Sequence, residues 1–165
     1  MALKPDRDFF QVMDITNFWT NTTGFTTAEE GGIASVETGG SGVALGVNNT
    51  DDPNFVLYAT VASGSIPKGV LLHPVNPPLS ATRDFKNLEN QESRPGDKVA
   101  LLRKGSIVSN KIVGTPAIGS VAYLGASGYF DVTQTPSTGT GAAKVVGRFE
   151  TTKDADGFAR IFIDI

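Results

Sequence analysis

The chain has 165 residues, 14 lysines and arginines against 17 aspartates and glutamates, one histidine and no cysteine. The length fits one domain, or one domain with an arm, and a chain of this size buries roughly 70% of its unfolded surface without covalent staples. Lack of cysteine excludes disulfides, thiolate metal sites and cysteine nucleophiles, and a net charge of −3 argues against nonspecific nucleic-acid binding.

At the N-terminus, MALKPDRDFF carries charges where a signal peptide needs an apolar stretch, and no apolar run approaches the ~20 residues that span a membrane. The chain reads as soluble, made and used without export, so the sequons at Asn21 and Asn48 stay unmodified. Residues 1–20 hold a dense apolar set: Phe9, Phe10, Val12, Met13, Ile15, Phe18 and Trp19. They fit neither the helical period nor the strand period cleanly. The polar stretch 20–27 follows and reads as a linker. This divides the chain into an N-terminal arm with linker, 1–30, and a β-rich body, 31–165. The seven apolar residues are the candidate interface, either crossing to a neighbouring subunit or forming a first strand of the body.

The body is punctuated by glycine and proline too often for long helices, with 19 and 9 in the chain. Strands are expected at 33–36, 43–47, 55–62 and 70–72. The stretch TRDFKNLENQ, 82–91, is the only good short helix candidate, capped by Thr82 or Asp84 with Phe85 and Leu88 on one face. From Asp97 the pattern is regular, with strands expected at 99–102, 107–108, 112–113, 121–124, 129–132, 145–149 and 159–165. The breaks between them include Lys104-Gly105, Ser109-Asn110 and the turn DADG, 154–157. In the last two strands Val145, Gly147 and Phe149 should share one face and Lys144, Arg148 and Glu150 the other. Ile161, Ile163 and Ile165 should likewise lie opposite Arg160 and Asp164, the mark of a sheet buried on one side. Many short strands with frequent turns point to an all-β sandwich or barrel.

Charge is unevenly spread. Residues 1–60 carry Lys4 and Arg7 against eight carboxylates, a net of −6. Residues 83–111 carry seven basic against four acidic side chains, a net of +3. Unlike patches of this kind set register where subunits meet.

Chemistry is hard to assemble from these residues. His73, beside Pro74, is the single histidine, and no Gly-x-Ser-x-Gly elbow offers it a nucleophile. It reads as a loop or interface position. Asp154 and Asp156 before Gly157 resemble the start of a calcium loop, but the remaining ligands and closing glutamate are absent. GTGAAK, 139–144, resembles a phosphate loop yet lacks the Ser/Thr after its lysine and leads into a strand. Any two acids could converge as a glycosidase pair, but nothing in the sequence selects one. No catalysis, cofactor or metal is expected.

Five phrases in order, GGIASVETGGSG, GVLLHPV, RPGDKVALLRKGSIVSNKI, GTPAIGSVAYLGASG and VVGRFETTKDADGFARIFI, give residues 31–165 a likeness. They resemble the decoration, or cement, proteins of tailed-phage capsids. RPGDKVALLRKGSIVSNKI is read as strand, turn and strand around Lys104-Gly105. The resemblance implies a compact β-rich domain (barrel, sandwich or tulip-like), to which the reading of residues 1–30 adds an extended N-terminal arm. It implies a place on the outer surface of the assembled head, bridging major capsid protein subunits, and resistance to internal DNA pressure. It further implies a homotrimer, made in the host cytoplasm and located on the virion, with no nucleic acid or membrane partner. No catalytic motif is carried over. The competing readings are another phage structural module, such as a head fibre base or tail-associated β-domain, and a carbohydrate-binding β-sandwich.

Overall fold

Glycine-punctuated sequence of this kind favours short extended segments, and the computed structural model bears that out. It describes residues 9–20, 28–36, 55–57, 62–74, 92–93 and 98–165. Among them no α-helix occurs, only a 3-10 turn at Ala126–Gly128. The strands are β1 (Phe9–Thr20), β2 (Ala28–Glu29), β3 (Ile33–Val36), β4 (Phe55–Leu57), β5 (Pro67–Pro74) and β6 (Glu92–Ser93). They continue with β7 (Lys98–Ser109), β8 (Ile112–Val113), β9 (Val121–Leu124), β10 (Phe130–Asp131), β11 (Val145–Phe149) and β12 (Ala159–Asp164). The expected strand at 43–47 and the expected helix at 82–91 lie outside the described residues.

Ten strands form one sheet in the order β1-β4-β3-β5-β7-β12-β11-β9-β10-β8, while β2 and β6 pair separately. β1 also pairs with β7, so β1, β4, β3, β5 and β7 close a circuit of hydrogen-bonded neighbours. From β7 the sheet continues as a wing through β12, β11, β9 and β10 to β8. The fold is therefore all-β, with barrel-like closure on one side of β7. Closure removes exposed edges, which would otherwise recruit foreign strands.

β7 is the axis of this arrangement. β1 runs along one edge, from Trp19 opposite Lys98 to Phe9 opposite Ile107. On the other edge β5 pairs with its first half (Val70 with Leu102) and β12 with its second (Ile161 with Ile107). The turn expected at Lys104-Gly105 is not there: the chain passes through as one strand of 12 residues. What slips instead is the register with β1, which skips Arg103 between Lys104 and Leu102 while the pairing with β12 runs unbroken through Gly105. Leu102 and Ile107 both join the core although they are five positions apart, an odd step that a one-residue bulge accommodates. Gly105, at φ 142, takes a backbone angle that side chains disfavour. The slip sends Lys104 outward, where its Nζ lies 3.1 Å from Asp164 Oδ1.

The core gathers Ile33, Val70, Leu102, Ile107, Leu124, Phe130, Val146, Phe149, Ile161 and Ile163 from both sides of β7. Ile161 and Ile163 are fully buried and Ile165 packs against the cluster, as the alternation anticipates. In β11 the alternation is corrected at one residue. Phe149 is buried as expected, but Val145 is exposed and Val146 is buried in its place, with Gly147 half-buried between Val146 and Phe149. A register shift between Val145 and Gly147 is the cause. A Cβ on Gly147 would collide with the Phe162 carbonyl oxygen, so the bulge seats a glycine against the neighbouring backbone.

Candidate interaction surfaces

Each segment that resembled a chemical motif has a local structural job. In DADG, Asp154 Oδ1 accepts hydrogen bonds from the N–H of Asp156 at 3.0 Å and of Phe158 at 2.8 Å. Gly157 turns the chain at φ 83. The aspartate thus closes the β11–β12 connection, as such side chains commonly do in turns. In GTGAAK the Gly141 carbonyl accepts from Ser63 Oγ at 2.8 Å and from Gly64 N–H at 3.2 Å, tying two distant loops together. β11 follows it, as the sequence indicates. His73 lies within β5 rather than in a loop, between Leu72 in the core and Pro74 opposite Val99. The sequence missed this because three residues were allotted to that strand and eight form it.

On the wing, Arg160 and Glu150 form an ion pair. Arg160 Nε lies 2.9 Å from Glu150 Oε2, which also accepts from Ser106 Oγ at 3.1 Å. The pair is partly exposed and so contributes at most about 1 kcal/mol. Among the described residues no group of three or more histidines and carboxylates could hold a metal ion.

The wing ends at β8, whose outward backbone groups are already occupied. Ile112 N–H donates to the Asn110 carbonyl at 2.8 Å, and the Ile112 carbonyl accepts from Lys153 Nζ at 3.0 Å. A short edge strand capped by lysine resists pairing with another chain. Contact through this wing therefore falls to faces and loops.

The candidate interface residues Phe9, Phe10, Val12, Met13, Ile15, Phe18 and Trp19 all fall within β1. By register Phe9 stands opposite Ile107, Val12 opposite Gly105, Ile15 opposite Leu102, Phe18 opposite Val99 and Trp19 opposite Lys98. The strand is irregular, with register shifts between Phe9 and Gln11, between Val12 and Asp14, and between Asp14 and Ile15. Those shifts explain why neither period fitted the segment. A second surface escaped the sequence reading: Val113, Val121 and Val145 are exposed on the wing, and Ile118 on the loop before β9. Residues from four different segments form it, so no local pattern announces it.

A search of the curated proteins finds no match. The model of the structural cement protein family (E217 gp24/Pam3 gp6) does match, over residues 12–164. That span takes in β1 from Val12 and every later strand, ending with β12 at Asp164. The match over residues 12–164 of this all-β chain places it in the family of phage structural cement proteins.

Proposed function

We propose that the chain is a decoration protein that binds the outside of the assembled phage head, bridges major capsid protein subunits and stabilises the shell against internal DNA pressure. The observation that carries this is the family match over residues 12–164. The family is structural and implies association with the capsid of the virion. Stabilisation follows from avidity: several modest contacts made at once hold far better than any one, provided the geometry lets all engage. The protein works as a homotrimer, and its role is non-enzymatic. Residues 1–30 act as an arm whose apolar residues, Phe9 to Trp19, contribute contacts to a neighbouring subunit or to the shell.

The test uses shells stripped of the protein. Adding purified protein should restore a regular outer density in low-dose images and raise the temperature at which shells burst. Normal burst temperature without the protein, or protein confined to the tail in labelled virions, would overturn the proposal.

A further inference from the structure

The large hydrophobic side chains left exposed among the described residues are not scattered. Four of the five are Val113 at 46%, Ile118 at 74%, Val121 at 40% and Val145 at 54% exposure, all within 33 residues of sequence, with Ile66 apart. Strand register assembles the three valines, with Ile118 on the loop that leads into β9. Val145 pairs with Tyr123, Tyr123 with Asp131, and Asp131 with Val113, giving one row across β11, β9, β10 and β8. The next position along holds Val121 opposite Arg148. Directly paired residues share a face. This face is the one away from the core, because Ala122, Leu124, Phe130 and Ile112 alternate with it and are buried. Single exposed apolar residues are ordinary, whereas a contiguous set marks an interaction site.

Charge identifies what fits there. Lys144, just before β11, and Arg148, three residues after Val145 within it, are both exposed. Arg148 holds its guanidinium over the Phe162 ring, 5.6 Å from the centroid, which fixes it at the border of the face. The acid in the row, Asp131, has Oδ1 engaged by the Thr133 N–H at 2.8 Å. Over residues 111–165 five basic and five acidic side chains balance, but within the β8 to β11 face Lys111, over the Tyr129 ring, and Arg148 stand against Asp131. The same chain offers a complement, since residues 1–60 carry a net of −6. Edge-to-edge pairing at β8 is closed by the Ile112–Lys153 hydrogen bond, leaving the face as the way to join this wing.

We infer that this apolar, basic-rimmed face, centred on Val145 and Tyr123, receives the acidic N-terminal 60 residues of a second copy of the chain. The inference rests on the proposed homo-oligomer and names the surface through which it forms.

Replacing Val145 with the photo-crosslinker p-benzoylphenylalanine tests it. Light and 15N-labelled full-length chains would be mixed and irradiated, both free and on shells. Cross-links from position 145 should join light to heavy chains and end within residues 1–60. In parallel, Lys144→Glu with Ile118→Asp should raise the concentration needed for assembly about tenfold or more while leaving thermal unfolding unchanged, because neither side chain is buried. An oligomer whose cross-links end elsewhere in the partner, stay within one chain, or reach capsid protein overturns this inference and leaves the oligomer standing. A chain that is monomeric both free and on shells overturns both.

Discussion

Gly147 sits where the β11 bulge presses against β12, and a methyl group there meets the Phe162 carbonyl oxygen. Gly147→Ala should therefore cost about 1–3 kcal/mol, the usual penalty of overpacking, read as a lower midpoint in urea with an unchanged slope. A midpoint equal to wild type would mean the bulge relaxes freely. Asp154 offers a different kind of test, because its contribution is a hydrogen-bond acceptor and not volume. Asp154→Ala removes the acceptor for two backbone N–H groups and should cost about 1 kcal/mol. Asp154→Asn keeps an Oδ1 and should recover most of it. If Asn proves no better than Ala, the charge matters and the turn geometry does not.

At the scale of elements, β8 ends the sheet whereas β1 closes the circuit on the other side of β7. β8 is two residues long and blocked by Lys153. Lys153→Ala leaves the Ile112 carbonyl open and should make the protein self-associate slowly through that edge, seen as growing light scattering at constant temperature. Scattering that stays flat for days would show the cap to be dispensable. β1 is 12 residues long and pairs along β7, whose opposite edge is independently held by β5 and β12. Deleting residues 1–20 should thus leave a body that still unfolds cooperatively, at a lower temperature, while occupancy on shells falls sharply. Aromatic residues such as Phe9, Phe18 and Trp19 are the type that dominates binding, where each truncation costs about 2 kcal/mol or more. A truncated protein that cannot fold would make β1 part of the core, and one that folds and binds fully would make it unnecessary.

For the whole molecule, residues 1–60 are acidic in sequence and the C-terminal wing carries the exposed basic residues Lys144 and Arg148. If copies meet through these, assembly should weaken with salt, since exposed charges further apart than about 10 Å are screened at 0.1 M. Sedimentation at 0.05 M and 0.5 M salt should show the oligomer shifting toward monomer. Salt-insensitive trimers would place the driving force in apolar contact alone. Lys104 takes no part in this balance, because it is already paired with Asp164 within the chain.

The sequence by itself determined that the fold is all-β, where β3, β9 and β11 begin and end, and that Ile161 and Ile163 are buried. Those features are local: a run of β-favouring residues between glycines, or a strict alternation, needs nothing distant to be recognised. Pairing between distant strands is what shows the chain running through Lys104-Gly105 as one long strand, with its slip against β1 at Arg103. A glycine that turns a chain and a glycine that a strand passes through look alike until the neighbours β1, β5 and β12 are in place. The same holds for Val145, pushed outward because a one-residue shift against β9 gives its inward place to Val146. It holds most of all for the exposed face on the wing, whose members lie on four strands and become neighbours only through pairing. Fold class is written in short-range pattern, whereas a surface is written in register, and register is settled between strands.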